Sequence, residues 1–171
     1  MSRYVAFLRG VSPQNLSMVQ LRAAMEGAGF ADVRTILASG NVAFTARAAR
    51  EEALARKVES ALESTVGRAF QTIVRPSEYL GALLARDPYA AFDVPSGAKR
   101  VVTFLRESHA GRLRFPIARD GASILGMQDR EVFTAYVPHP KGPVFMTLIE
   151  QTFGSEVTTR TWDTVKKCAV A

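Results

Sequence analysis

Short hydrophobic runs alternate with polar stretches along this chain, and their spacing changes from strand-like to helix-like in a regular order. Residues 34–45 contain two apolar runs rich in β-forming residues, which fold back at Ser39, Gly40 and Asn41. Glycine and asparagine accept the left-handed backbone that a tight hairpin turn requires. The pattern therefore predicts a β-hairpin at this place.

The segments around the hairpin predict elements that could be laid against it. Residues 4–8 form a continuous apolar run, which is typical of a buried strand. Ser17 has a glutamine three residues after it, and this spacing predicts a capping box at the start of a helix that ends at Gly29. A long amphipathic helix is predicted over residues 46–66, followed by a strand over residues 70–75. The predicted order is strand, helix, strand, strand, helix, strand.

The second half of the chain repeats this order of elements without repeating the sequence. Its predicted elements are a strand at 100–105, a short helix at 108–115, a hairpin at 122–126 and 131–137, a helix at 144–153, a strand at 157–160 and a helix from Trp162. We therefore expect an α+β protein of two ferredoxin-like (βαββαβ) subdomains with antiparallel sheets. These occupy residues 1–75 and 99–171, and residues 76–98 supply a helix and a connector.

Composition limits the classes of protein to which the chain could belong. Its 171 residues are 47% hydrophobic and 22% charged, which is ordinary for a globular protein. The net charge of +6 permits an anionic partner, such as a nucleotide or nucleic acid, without demanding one. Cys168 is the only cysteine, which excludes an internal disulfide and fits a reducing cytoplasm. Because no apolar run is long enough for a signal peptide or a membrane span, we expect a cytoplasmic protein without a membrane partner.

Motifs of well-known chemistry are absent from the sequence. It contains no phosphate-binding P-loop, dinucleotide fingerprint, zinc-protease motif or calcium loop. His109 and His139 are the only histidines, and neither has a paired ligand, so we expect neither a metal site nor a cofactor. Glu51 and Glu52 lie on a helix face that is predicted to be solvated, and they are poor acid–base candidates.

The predicted topology brings several residues to one end of the first sheet. The end of the first strand, the start of the first helix and the hairpin turn all meet there. Glycine lets a ligand approach backbone amides, while a helix N-terminus and an arginine favour negative charge. The candidate anion-binding residues are Arg9, Gly10, Ser12, Ser39, Gly40 and Asn41, with Arg160 from the second half.

The same residues could instead have roles in the fold alone. Gly10, Gly40 and Asn41 could simply form turns, and Arg9 could pair locally. Arg160 could pair with a nearby carboxylate instead of joining the site. We expect Trp162 to anchor the terminal helix on the core, as a lone tryptophan at the start of a terminal helix usually does.

Several segments, taken in order, resemble the bacterial domain-of-unknown-function 1697 family. They are Tyr-Val-Ala-Phe-Leu-Arg-Gly at 4–10, Met-Val-Gln-Leu-Arg at 18–22, Gly-Phe-Ala-Asp-Val-Arg-Thr at 29–35, Ser-Gly-Asn-Val at 39–42 and Thr-Arg-Thr-Trp-Asp-Thr-Val at 159–165. The resemblance covers nearly the whole chain and implies a pair of ferredoxin-like subdomains. It implies no established activity, catalytic residue or cofactor.

The chain departs from the pattern of that family at two loops. Members usually carry glycines and a lysine directly after the first Arg-Gly, whereas residues 11–15 are Val-Ser-Pro-Gln-Asn here. A second departure occurs at residues 140–143, which are Pro-Lys-Gly-Pro here, whereas members usually carry Gly-Arg-Ser-Lys. An anion site that the family shared at these loops would be weakened in this protein. Thr161 stands where the family has asparagine, and its hydroxyl can still cap the final helix.

Three functions are compatible with these observations. The first is a binding module for a small anion, a nucleotide or a nucleic-acid phosphate, and the second is an enzyme that acts on a phosphate-bearing small molecule. The third is a protein-binding module that pairs through exposed sheet edges. Steep weakening by salt distinguishes nucleic-acid binding from strand pairing. We expect a monomer or a weak homodimer.

Overall fold

The computed structural model of the chain describes residues 1–140 and 142–171, so Lys141 lies outside the described residues. The chain divides into two compact units. Unit 1 comprises Met1–Ala85 with Lys166–Ala171, and unit 2 comprises Arg86–Val165. One antiparallel sheet lies in each unit, of four strands in the first and five in the second, so the α+β class is confirmed.

Unit 1 follows the predicted order of elements. They are β1 (Ser2–Leu8), α1 (Met18–Gly27), β2 (Ala31–Ile36), β3 (Asn41–Ala46), α2 (Glu51–Val66), β4 (Thr72–Pro76) and α3 (Ser77–Ala85). Its sheet has the order β2-β3-β1-β4, so β1 is an interior strand. Alternate residues of β1, namely Tyr4, Ala6 and Leu8, form one core with the apolar faces of α1 and α2. The two helices therefore cover one face of the sheet.

The helix ends of unit 1 follow from local chemistry. Ser17 and Gln20 form the predicted capping box, because the Gln20 N–H donates to Ser17 Oγ at 3.1 Å and the Ser17 N–H donates to Gln20 Oε1 at 2.9 Å. α2 begins at Glu51, five residues later than predicted, with two glutamates in its first turn, where the helix dipole favours negative charge. It ends at Val66, as predicted, and Gly67 follows it in a left-handed conformation.

Glu51 is not simply solvated, which corrects the prediction for the Glu51 and Glu52 pair. Arg75 lies on β4 with only 1% of its side chain exposed, and its Nη1 is 3.7 Å from Glu51 Oε2. Glu52 instead pairs with the exposed Arg56 at 3.2 Å. One glutamate thus compensates a buried charge while its neighbour forms a surface ion pair.

The predicted hairpin is confirmed, but its turn is built differently. The left-handed residues are Leu37, with φ of 58°, and Gly40, with φ of 87°. Asn41 is the first residue of β3 and is fully buried, and its Nδ2 donates to the Ile36 carbonyl and to Ser39 Oγ, both at 2.9 Å. Asn41 therefore ties the turn together with its side chain rather than through a left-handed backbone.

The outer strand β2 is irregular. Its pairing with β3 shifts register between Ala31 and Arg34, and Asp32 has a φ of 47°. Arg3 on β1 reaches across, so that its Nη1 donates to the Asp32 carbonyl at 2.6 Å and to Thr45 Oγ1 at 3.2 Å. The irregular part of β2 is therefore held by a side chain from an interior strand.

Unit 2 contains a short 3₁₀ helix (Pro88–Ala91) followed by β5 (Lys99–Leu105), β6 (Ile117–Arg119), β7 (Ala122–Gln128), β8 (Glu131–Tyr136), α4 (Val144–Phe153), β9 (Val157–Thr161) and the first residues of α5 (Trp162–Ala169). Its sheet order is β6-β7-β8-β5-β9, so β5 is interior and β6 is an additional edge strand. The core of this sheet includes Ile124, Val132, Leu148 and Ile149, which places the apolar face of α4 against it.

The predicted helix at 108–115 is absent, and this prediction was wrong. The segment is irregular and leads into β6. Gly111 lies in its middle, and its apolar residues Leu113 and Phe115 are two positions apart, which is not helical spacing. Pro116 also follows Phe115 and disfavours a helical conformation there.

The units differ from the predicted segment boundaries at two places. α3 packs against β1 and β4 and groups with unit 1, whereas the prediction placed residues 76–98, a helix and a connector, between the two subdomains. The last residues of α5 also group with unit 1, where the Ala171 carbonyl accepts a hydrogen bond from Arg3 Nε at 3.4 Å. None of the helices described is long and apolar enough to cross a membrane.

Trp162 is buried, with 6% of its surface exposed. Its ring centroid lies 5.5 Å from that of Tyr89 in the 3₁₀ helix of the same unit. The preceding residue, Thr161, accepts a hydrogen bond at Oγ1 from the Thr164 N–H at 3.3 Å. Trp162 is therefore a buried residue at the start of α5, and Thr161 caps this helix as predicted.

Candidate functional site

The carboxyl end of β1 lies between two other segments of unit 1. The Leu8 N–H donates to the Gly40 carbonyl at 2.8 Å, which places the β2–β3 turn on one side. The Arg9 N–H donates to the Gln71 carbonyl at 2.9 Å, which places the start of β4 on the other. The structure thus brings Arg9 and the hairpin turn to the same end of the sheet, as the topology predicted.

The loop after β1 presents unused backbone donors. Gly10 is exposed and has a φ of 79°, and among the described residues the N–H groups of Gly10 and Val11 donate to no acceptor. The rest of the loop is closed by Asn15, whose Oδ1 accepts from the Ser12 N–H at 2.9 Å and whose Nδ2 donates to the Gly10 carbonyl at 2.8 Å. The loop is therefore ordered by the Asn15 side chain, while two adjacent N–H groups have no acceptor in the described part of the chain.

Arg68 is a cation at this place that the sequence interpretation missed. A Cβ atom added to Gly10 would lie 3.7 Å from Arg68 Nη2, so the guanidinium lies beside the open amides. The same guanidinium lies over the Phe70 ring, with its Cζ 4.8 Å from the ring centroid. Arg68 is exposed and forms no ion pair with any described residue. It could have been found from topology, because the residues before β4 must adjoin the end of β1.

Two of the predicted candidates, Gly40 and Asn41, make contacts within the protein. A Cβ atom on Gly40 would lie 2.8 Å from Val11 Cγ2, so the space beside Gly40 is occupied by the protein itself. Asn41 is fully buried, and its amide group donates two hydrogen bonds within the turn. For Gly40 and Asn41 the structure therefore agrees with the interpretation as turn residues.

The two candidate serines differ in their surroundings. Ser39 lies in the hairpin turn, where its Oγ accepts from Asn41 Nδ2. Ser12 is partly exposed in the loop beside Gly10, and among the described residues its hydroxyl group makes no hydrogen bond. Ser12 can therefore offer an O–H donor next to the open amides.

The N-terminus of α1 contributes less than the sequence suggested. Its capping box occupies the Gln20 N–H with the Ser17 hydroxyl. A helix end that is satisfied by its own cap has fewer N–H groups for an external anion. The positive character of this place therefore comes from the loop amides, Arg9 and Arg68.

Arg160 lies in β9 of unit 2 and is only 8% exposed. Its Nη1 donates to Thr158 Oγ1 at 2.8 Å and to the Thr159 carbonyl at 2.7 Å. These contacts hold the guanidinium along its own strand. We therefore do not include Arg160 in the candidate site, which is defined by Arg9, Gly10, Val11, Ser12 and Arg68.

Charge is distributed unequally between the units. Unit 1 contains twelve Lys and Arg residues against seven Asp and Glu residues, a net charge of +5, whereas unit 2 contains ten against nine. Nearly all of the positive excess of the chain therefore belongs to the unit that carries the candidate site. Among the described residues, no group of three His, Cys, Asp or Glu side chains could hold a metal ion.

Comparison with known proteins gives a fold and a family but no activity. A solved structure described as the conserved bacterial protein SP0830 from Streptococcus pneumoniae is similar to this chain, with a TM-score of 0.70 and 19% sequence identity. The similarity covers 99% of this chain and 97% of that chain, and it shows a shared fold. A search among curated proteins found no match.

The sequence model of one protein family matches residues 1–133. This range includes four of the five segments that carried the resemblance, and it includes the whole candidate site. Only the segment at 159–165 lies beyond it. The chain belongs to the DUF1697 family, whose description is a protein of unknown function.

Proposed function

We propose that the protein is a binding module for a phosphate-bearing ligand, which it holds at the carboxyl end of β1. The observation that carries this proposal is the position of Arg68 beside the open N–H groups of Gly10 and Val11. Two adjacent amides and a guanidinium are donors of the kind that bind phosphate oxygens. Arg9 adds a second cation at the same strand end.

The contact with Phe70 supports the role of Arg68. A guanidinium that is already held over a ring loses less side-chain freedom when it forms further hydrogen bonds. The net charge of +5 on unit 1 favours the approach of an anion.

The phosphate could belong to a free nucleotide or to a nucleic acid, and titration distinguishes these sources. Inorganic phosphate, a nucleoside triphosphate and a short single-stranded oligonucleotide are titrated calorimetrically against wild type and Arg68→Met. Loss of a charge-assisted hydrogen bond costs about 1.5 to 3 kcal/mol, so we expect Arg68→Met to weaken binding by about tenfold or more. Nucleic-acid binding should also weaken steeply as salt rises.

Arg56→Met is the matched control. It removes the same charge from unit 1, but Arg56 forms a surface ion pair with Glu52 on α2. The control should bind as wild type does. Equal binding by wild type and Arg68→Met would refute the proposal, and equal weakening by both variants would reduce it to non-specific charge attraction.

We also propose that both units have the ferredoxin-like plan. The support in unit 1 is its order of elements together with its sheet order β2-β3-β1-β4. In unit 2 the strands β7-β8-β5-β9 have the corresponding order, with α4 before the last strand. An irregular segment and β6 stand where the first helix of such a unit would be.

A further inference from the structure

A second site is suggested by a cavity of about 240 Å³ in unit 2. It opens between the β6–β7 turn, the end of β8 and the first turn of α4. Its walls are largely apolar and include Val137, Val144 and the rings of Tyr136 and Phe145. These two rings are stacked, with centroids 4.8 Å apart and an interplanar angle of 10°, so they form one firm aromatic wall.

Two opposite charges line this cavity. Lys99 stands at the start of β5, and its Nζ lies 5.9 Å from the centroid of the Tyr136 ring. Asp120 stands in the β6–β7 turn with a φ of 45°. Neither Lys99 nor Asp120 forms an ion pair with the other, or with anything else in the part of the chain that the structure describes. The cavity therefore presents one cation and one anion that do not neutralise each other.

The size and chemistry of the cavity select a class of ligand. Pockets for drug-sized ligands measure roughly 300 to 1,000 Å³, so this one suits a molecule smaller than a nucleotide. Its apolar wall favours a ligand with an apolar side chain, and its two charged residues favour a ligand that carries one positive and one negative group. We propose that the cavity binds a single α-amino acid with an aromatic or branched apolar side chain. The carboxylate faces Lys99, the ammonium group faces Asp120, and the side chain lies against Tyr136 and Phe145.

This proposal is tested with the full chain by calorimetric titration of L-phenylalanine. Two analogues that each lack one charge, 3-phenylpropionate and phenethylamine, are titrated in parallel, together with L-leucine. We expect both analogues to bind about tenfold more weakly than L-phenylalanine. L-leucine should bind as well, since the wall is apolar as well as aromatic.

Two variants test which ligand group each charged residue binds. Lys99→Met should weaken L-phenylalanine about tenfold and leave phenethylamine unchanged, because that analogue has no carboxylate. Asp120→Asn should weaken L-phenylalanine about tenfold and leave 3-phenylpropionate unchanged. Asparagine tolerates the positive φ of this turn, so the fold of the hairpin is preserved.

Each variant has a matched control. Lys57→Met removes another lysine that lies over a ring, with its Nζ 4.8 Å from the centroid of Phe30 in unit 1. Asp129→Asn alters another aspartate with positive φ, in the β7–β8 turn. Both controls should bind L-phenylalanine as wild type does. The proposal is overturned if millimolar L-phenylalanine gives no binding, if either analogue binds as tightly as the amino acid, or if the lining variants behave like the controls.

Discussion

Gly40 and Val11 are packed so closely that a Cβ atom on Gly40 would lie 2.8 Å from Val11 Cγ2. Gly40→Ala should therefore lower the unfolding free energy by about 2 to 5 kcal/mol. The added Cβ atom strains a left-handed backbone and also overpacks against Val11. Gly29, with a φ of 89° and no atom within 4 Å of an added Cβ, provides the control. Gly29→Ala should lose only about 1 to 2 kcal/mol. Equal losses in urea denaturation would contradict the role of the Val11 contact.

Glu51 compensates the buried guanidinium of Arg75, so its neutralisation should destabilise unit 1. We expect Glu51→Gln to lower the unfolding free energy by about 1 to 3 kcal/mol, because a buried charge loses a partner that is itself partly exposed. Glu52→Gln, one residue away, breaks only a surface pair with Arg56 and should cost less than about 1 kcal/mol. The order of the two melting temperatures checks this prediction, and a reversed order would exclude it.

Trp162 anchors the start of α5, and its removal should be costly. Trp162→Ala should lower the unfolding free energy by about 3 to 5 kcal/mol, which is typical when a buried aromatic ring is deleted. Trp162→Phe keeps a ring beside Tyr89 and should lose less. Chemical denaturation of the three proteins measures both values. A loss below about 1 kcal/mol for the alanine variant would show that the ring does not support the fold.

Tyr89 should make stability fall in alkaline solution. Burial of its phenol raises the pKa of Tyr89 well above its usual value near 10, and its hydroxyl lies 2.7 Å from the Val101 carbonyl and 3.0 Å from that of Thr134. Above pH 10 the unfolded chain releases this proton while the folded chain keeps it. The unfolded state then binds fewer protons, so the unfolding free energy falls by about 1.4 kcal/mol per pH unit from this group.

This alkaline loss is measured by urea denaturation between pH 9 and pH 11. Tyr89→Phe should be less stable than wild type at pH 8, because two buried carbonyls lose their donor. It should nevertheless show a shallower decline above pH 10. Parallel curves for the two proteins would mean that the Tyr89 phenol ionises equally in the folded and unfolded states.

The sequence predicted the fold well where short-range chemistry decides the structure. The Ser17 and Gln20 capping box, the end of α2 at Val66 and the helix Val144–Phe153 were all found from local patterns. The left-handed Leu37 was not predicted, because leucine disfavours that conformation. The predicted helix at 108–115 was wrong, and its own residues do not support it.

The candidate site was predicted only in part, because it depends on contacts between distant segments. Arg9 and Gly10 followed from the topology alone. Arg68 was missed because it comes 58 residues after Gly10 and follows the C-cap of α2, so no local pattern in the sequence relates it to Gly10. Gly40 and Asn41 were candidates because the topology placed them beside Arg9, and their alternative interpretation as turn residues was open from the sequence.

The irregularity of β2 has a consequence for how copies of this protein behave in a crowded solution. An edge strand with regular spacing is a template on which a neighbouring chain can add a strand and begin to aggregate. The register shift between Ala31 and Arg34 breaks that template, and Arg3 occupies the Asp32 carbonyl. An incoming strand would meet an irregular edge. The Asp32 carbonyl there already accepts a hydrogen bond, and the exposed Arg34 lies on the same strand. The irregularity of β2 therefore disfavours edge-to-edge pairing through this part of the strand.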